Sequence, residues 1–313
     1  MRFFKQAKKI ESWLSFSLRG DGIAAARISR VPGARPAVET CVFYAGRPDA
    51  DLLEKAGREL RAATFHCTTV LSGGEYQMLA GEAPNVPADE LKTAVRWRLK
   101  DMLDFHVDDA TIDVLDIPAD KNATVRTNHG MFAVAARNSV IEKRQALFAT
   151  AKVGLSVIDI PEMAQRNIST LVEPEGCGLA MLSFGADGGL LTVTFTGELY
   201  LSRRIDVTLE QLLDTDHDRK HASFDKITLE LQRSLDHFDR QFHFISVSKL
   251  LLAPSAVTGL EEYLSSNLYT PVQTMDLGDA LDISGVPELL DKAAQQRFFF
   301  TIGAALRHEE TRL

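Results

Sequence analysis

Apolar and polar positions alternate along this chain with two periods, and the switches between them outline its elements. Residues 14–23 run Leu-Ser-Phe-Ser-Leu-Arg-Gly-Asp-Gly-Ile, which reads as an apolar strand, a tight Asp-Gly turn and a second strand. Asp-Gly between strand-patterned runs signals a hairpin, because glycine tolerates positive φ. Residues 181–190, Met-Leu-Ser-Phe-Gly-Ala-Asp-Gly-Gly-Leu, repeat the design. Asp21 and Asp187, like Gly22 and Gly188, are separated by the same 166 positions, about half the chain. A similar element at the head of each half predicts two domains of one design facing each other across a cleft.

Between the hairpins, residues 36–45 alternate through Val38, Thr40, Val42 and Tyr44 as a half-buried strand does. Residues 49–61 read as a helix with Leu52, Leu53, Ala56 and Leu60 on one side, and 66–71 as a short strand ended by Ser72-Gly73-Gly74. The spacing predicts a helix over 87–103. Pro87 suits its first turn, Asp89 and Glu90 suit its positive end, and Leu91, Val95, Leu99 and Met102 form a stripe. Strands at 111–117 and 131–135 flank a polar loop at 119–130. A helix over 139–151, a strand over 155–160 and a helix over 162–171, opened by Pro161, follow. Pro174 and Gly176 then interrupt the chain and mark the boundary between the halves. After the second hairpin, strands continue over 192–205. A long helix over 223–242 carries Phe224, Ile227, Leu231, Leu235, Phe238 and Phe242 on one face. A buried strand at 249–252, a helix at 260–268 and mostly helix over 287–307 complete the pattern.

Composition narrows the function classes. A net charge of −8 argues against a nucleic-acid partner, since affinity for phosphate needs concentrated Lys and Arg. Cys41, Cys67 and Cys177 are scattered without metal-ligand spacing and read as free thiols of a reducing compartment. No apolar run reaches the roughly 18–20 residues of a membrane span. Residues 1–10 carry Arg2, Lys5, Lys8 and Lys9 with no apolar region of a secretory signal behind them. They read either as a solvated tail or as a weak interfacial helix, with Phe3, Phe4, Ile10 and Trp13 toward lipid.

Several segments together resemble one family, the PilM and MshI actin-like proteins of type IV pilus assembly, MshI belonging to the mannose-sensitive haemagglutinin (MSHA) pilus. The family's first hairpin, Gly-Ile-Asp-Ile-Gly-Ser-Ser, is matched by Ser15-Phe16-Ser17-Leu18-Arg19-Gly20-Asp21, and its second, Val-Asp-Ile-Gly-Ala, by Leu182-Ser183-Phe184-Gly185-Ala186. Further matches are Gly197-Glu198-Leu199 followed by Arg203, Leu231-Gln232-Arg233-Ser234-Leu235-Asp236, and Ile302-Gly303-Ala304-Ala305-Leu306-Arg307. Ala94-Val95-Arg96-Trp97-Arg98-Leu99-Lys100-Asp101 and Ile158-Asp159-Ile160-Pro161-Glu162-Met163-Ala164 point to the MshI branch. The resemblance implies an α/β chain of actin-like ATPase fold, with two ribonuclease-H-like domains at 1–173 and 174–313. A small subdomain would be inserted in the first, at about 80–136.

In the ATP-binding relatives, the hairpin aspartates act through water and Mg²⁺ on the phosphates, and the glycines let backbone N–H groups approach. Here Ser17 and Ser183 replace the aspartates and Arg19 replaces the first glycine, while Gly185 survives. A neutral hydroxyl does not replace a carboxylate beside Mg²⁺. A third element, the Gly-Gly turn behind the adenosine, reads Leu252-Ala253-Pro254-Ser255, and proline removes an N–H and fixes φ. Asp21 and Asp187 remain as turn residues. The cleft is therefore expected to be degenerate at Ser17, Arg19, Asp21, Ser183, Gly185, Asp187, Ala253 and Pro254, and to take no cofactor. The rival reading is an ATPase or ATP-binding switch with ATP and Mg, which needs those two aspartates to take up the metal.

Other motifs are weaker. Asp214-Thr215-Asp216-His217-Asp218 imitates the start of a calcium loop, but Arg219 stands where glycine is needed and Asp225 where glutamate is expected. There is no nucleophile elbow, no phosphate loop and no paired-histidine zinc motif. Trp97 reads equally as a recognition aromatic or a core residue, and its neighbours Arg96, Arg98 and Lys100 favour a partly open face. The resemblance implies a non-catalytic scaffold, cytoplasmic and peripheral to the inner membrane. It would hold the cytoplasmic tail of a PilN-like single-pass membrane protein in a groove between the first domain's body and its inserted subdomain. Trp97 and Leu99 are the expected contacts, and Lys5, Lys8 and Lys9 would help to hold the protein at the membrane.

Overall fold

A computed structural model describes residues 12–31, 33–87, 90–119 and 130–307. Strands β1 (Trp13–Arg19) and β2 (Gly22–Ser29) form an antiparallel hairpin closed by the two residues Gly20 and Asp21, and β3 (Ala37–Ala45) continues the meander. Helix α1 (Ala50–Glu59) is capped by the Asp49 carboxylate, which accepts from the Leu52 amide. It leads into β4 (His66–Val70), parallel to β1. The chain then leaves this sheet for β5 (Tyr76–Glu82), α2 (Leu91–Leu99), β6 (Ala110–Ile117) and β7 (Gly130–Arg137). These three strands make a separate antiparallel sheet in the order β5-β7-β6. Helix α3 (Asn138–Thr150) returns to β8 (Leu155–Asp159), parallel to β4, so the first sheet reads β3-β2-β1-β4-β8.

Helix α4 (Pro161–Ser169) opens on a proline, whose missing N–H is no loss in a first turn. The second sheet repeats the first. Strands β9 (Gly178–Gly185), β10 (Gly188–Phe195) and β11 (Glu198–Ile205) form the meander. Helices α5 (Leu209–Leu212) and α6 (His217–Gln241) come next, then β12 (Val247–Leu252), α7 (Leu260–Asn267) and β13 (Val272–Thr274), in the order β11-β10-β9-β12-β13. Helices α8 (Leu277–Ala280) and α9 (Lys292–Ala305) end the described chain. The hairpin repeat seen in the sequence is a repeat of structure, since Arg19 pairs with Gly22 as Gly185 pairs with Gly188.

Helix α6 begins six residues before the predicted start. Asp216 takes the amides of Asp218 and Arg219 and caps it, so the calcium-loop-like stretch is a helix start. Among the described residues no group of three His, Cys, Asp or Glu could hold a metal ion. Helix α2 is shorter than the predicted 87–103, and Met102 lies beyond its end and is exposed rather than extending the stripe.

The division into halves is crossed in space. Helix α9, far past residue 174, packs on β1, β2 and β4 of the first sheet and on α4. One core therefore joins Ala24, Ala26, Ile28 and Val38 of the first sheet to Leu179 and Met181 of the second through Phe298, Phe299 and Ile302. Gly303 makes the α4–α9 crossing possible, because a Cβ there would stand 2.2 Å from the Ala164 carbonyl oxygen. Among the described residues no helix is long and apolar enough to cross a membrane. Lys5, Lys8 and Lys9 lie outside the described residues.

Candidate functional site

The two hairpin tips line one cavity of about 1160 Å³. Ser17, Arg19 and Asp21 enter it from the first hairpin and Gly185 and Asp187 from the second, with Arg204 of β11 and Arg297, Phe300 and Thr301 of α9 completing the walls. This brings together five of the eight residues expected in the cleft.

The other three lie elsewhere. Ser183 is 4% exposed and its hydroxyl donates to Gln165 Oε1 at 2.5 Å, turned away from the cavity into the α4 contact. The Ala253 amide donates to the Leu182 carbonyl at 2.8 Å, extending the β12–β9 ladder, and its side chain packs in the core between the sheets. Pro254 is buried beside it. That turn does not wall the cavity, because one more ladder bond carries β12 past its apparent end.

The polar groups at the hairpins are already engaged within the protein. Ser17 Oγ accepts from Thr301 Oγ1 at 2.8 Å, Arg19 pairs with Asp21 at 3.5 Å, and Asp187 Oδ2 accepts from the Gly73 amide at 2.8 Å. A magnesium ion bound through a nucleotide needs hard anionic oxygens or waters held by them. The hairpins offer the cavity one hydroxyl, Ser17, and two carboxylates, Asp21 and Asp187, each engaged with a partner of its own.

Helix α4 touches the cavity through Pro161 and carries residues that pattern reading passed over. Glu162, Gln165 and Ser169 are buried on one face of it. Gln165 Nε2 donates to the carbonyls of Met181 and Leu190 and to Thr192 Oγ1, and Asn167 Nδ2 donates to the Gly303 carbonyl at 2.9 Å. Glu162, 1% exposed, accepts from Arg204 Nη2 at 2.8 Å and from the phenol of Tyr76, which Arg204 also reaches. Burial and then the Glu162 charge push the Tyr76 phenol far above its ordinary value. Burial opposes the Arg204 charge, but Glu162 and Tyr76 outweigh it and hold the guanidinium more firmly protonated. Near this corner, burial raises the Asp159 carboxyl against the opposing pull of Arg307 at 3.4 Å. The available signal was a polar stripe at i, i+3 and i+7 of a helix, where an apolar stripe is the rule for a buried face.

The two expected partner contacts separate. Trp97 is 71% exposed on α2, whereas Leu99 is 3% exposed and packs with Val95, Met131 and Ala133 against the three-stranded sheet. Residues two apart on a helix do not share a face, so Leu99 offers no surface to a partner. β5 is an edge strand of its sheet, with Ala80, Gly81 and Glu82 exposed. Arg98 Nη1 donates to the Glu82 carbonyl at 2.6 Å and ties α2 to that edge.

No family model and no curated protein sequence matches this chain. Solved structures do. The chain is similar to one from a structure described as the PilM-PilN type IV pilus biogenesis complex, with a TM-score of 0.75 and 18% identity over 95% of this chain and 98% of that one. It is also similar to a Bacteroides thetaiotaomicron protein described as having an actin-like ATPase fold and unknown function, with a TM-score of 0.50 and 10% identity over 93% and 99% of the two chains. The fold is the actin-like ATPase fold.

Proposed function

We propose that this chain is a non-catalytic scaffold of a type IV pilus assembly platform of the MSHA kind, with a degenerate nucleotide cleft. It is cytoplasmic, peripheral to the inner membrane, and holds the cytoplasmic tail of a PilN-like single-pass membrane protein. The observation that carries this reading is the state of the hairpin serines. Ser17 accepts from Thr301 and Ser183 is turned into the protein against Gln165, so both are spent on internal bonds. A switch would instead have to recruit Asp21 or Asp187 for its metal, and these are engaged by Arg19 and by the Gly73 amide.

Likeness over 95% of the chain to one from a PilM-PilN complex supports the pilus setting and the class of partner. In this reading residues 1–173 and 174–313 are the two domains, and the three-stranded sheet with α2 is the inserted subdomain. The tail lies in extended form beside that sheet, where the β5 edge supplies backbone N–H and C=O groups and Trp97 an apolar contact. Lys5, Lys8 and Lys9 add attraction to an anionic membrane surface.

The test is fluorescence anisotropy of a labelled PilN-like tail peptide titrated with the full chain. Saturable binding, weakened at least about tenfold by Trp97→Ala, is the expected result, since exposed tryptophans commonly anchor interfaces. Absence of binding by the wild-type chain would overturn the scaffold reading.

A further inference from the structure

The turn Ser72-Gly73-Gly74 follows β4 and faces the cleft. Two successive backbone amides of this turn are taken by carboxylates of the protein itself. The Ser72 amide donates to Glu75 Oε2 at 2.7 Å and the Gly73 amide to Asp187 Oδ2 at 2.8 Å. Glu75 is local and is held by Arg144, whose Nη2 lies 2.8 Å from both carboxylate oxygens. Asp187 comes from the other side, off the tip of the second hairpin and 114 residues along the chain. Consecutive N–H groups in a glycine turn make a concavity that receives negative charge.

The fit around this contact is close. A Cβ on Gly73 would stand 3.2 Å from Asp187 Cβ and 3.2 Å from Arg204 Nη1, so the bare glycine lets the aspartate reach the amide. Arg204 is itself fixed by Glu162.

We propose that Asp187 is the cleft's built-in anion, a clamp that holds the two hairpin-bearing halves together with no bound ligand. Its carboxylate takes the place that a bridging oxyanion would take on the Gly73 amide. The clamp does not depend on the pilus reading. It implies that the closed cleft is the resting state of the chain and that an added oxyanion finds its amide already occupied.

The test is residue-resolved amide hydrogen exchange on the full chain, wild type against Asp187→Ala, Asp187→Asn and Gly73→Ala, with and without inorganic pyrophosphate as the probe anion. In Asp187→Ala the Gly73 amide is expected to exchange roughly five- to tenfold faster, the factor that follows from losing one hydrogen bond of ordinary net worth. Pyrophosphate then slows it again, and has no effect on wild type. Asp187→Asn keeps an accepting oxygen but loses the charge, so its Gly73 amide exchanges at a rate between wild type and Asp187→Ala. Gly73→Ala, which pushes the aspartate away without removing it, speeds exchange at the second hairpin tip. Equal exchange at Gly73 in wild type and Asp187→Ala, or slowing of the wild-type amide by pyrophosphate, would overturn the clamp.

Discussion

Arg204 Nη2 lies 2.8 Å from Glu162 Oε1, and this ion pair, buried at its Glu162 end, ties the second sheet to α4, with the Tyr76 phenol drawing in the three-stranded sheet. Breaking a buried pair leaves its partner's charge without compensation. Arg204→Gln is expected to destabilise the protein by about 3 kcal/mol, the low end for such a loss because the Arg204 side chain is 37% exposed. Tyr76→Phe is expected to cost about 1.5–3 kcal/mol, the value of one hydrogen bond to a charged acceptor. The double variant should cost less than the sum, since the three groups share one network. Denaturant unfolding of the three variants measures this.

The same phenol predicts an alkaline limit. Tyr76 is held above its ordinary value by burial and then by the Glu162 charge, so the folded state keeps a proton that the unfolded state gives up. A raised value contributes stability that is complete below the unfolded pKa, about 10 for tyrosine, and is lost as pH rises through the folded value. Unfolding midpoints at about pH 9 and about pH 11 should fall further apart in wild type than in Tyr76→Phe. A residual fall should persist in that variant, because burial and then Glu59 also push Tyr44 up, to about 12.

The α4–α9 crossing has no room for a side chain at its closest point. A Cβ on Gly303 would stand 2.2 Å from the Ala164 carbonyl oxygen and 2.7 Å from its carbon, both backbone atoms that cannot swing aside. Gly303→Ala is expected to destabilise by about 3 kcal/mol through overpacking. Because α9 also packs on the first sheet, the loss should appear in one cooperative transition, followed by circular dichroism and by tryptophan fluorescence.

Leu99 and Trp97 should answer oppositely to truncation. Leu99→Ala removes a fully packed side chain and is expected to cost about 2–4 kcal/mol of stability. Trp97→Ala removes an exposed one and should change stability by less than about 0.5 kcal/mol while weakening the peptide. Paired melting curves and peptide titrations separate the two effects.

Local chemistry made the hairpins legible. Both Asp-Gly pairs mark hairpin tips, but one position late: the two-residue loops are Gly20-Asp21 and Ala186-Asp187, Gly22 and Gly188 already pair in the strands, and of the two only Gly188 has a positive φ. Helix α6 was legible from its apolar face, although its start was not, because the Asp216 cap sits in a stretch that also imitates a calcium loop. The return of α9 to the first sheet was not legible, since nothing local distinguishes a helix that crosses between sheets from one that stays. Nor was the inward turn of Ser183, which depends on Gln165 of another element, 18 residues before it. The assignment of Leu99 to a surface had a correction available in helix geometry, because it stands two residues from an exposed Trp97.

The proposed scaffold role requires a cleft that takes no magnesium-nucleotide and a surface that holds a peptide. Calorimetric titration of the full chain with MgATP, followed in the same cell by a PilN-like tail peptide, reads both at once. The expected result is no saturable heat from MgATP and a saturable one-site isotherm with the peptide. Tight nucleotide binding that disappears when magnesium is chelated would contradict it, and would mean that Asp21 or Asp187 leaves its present partner to hold the metal.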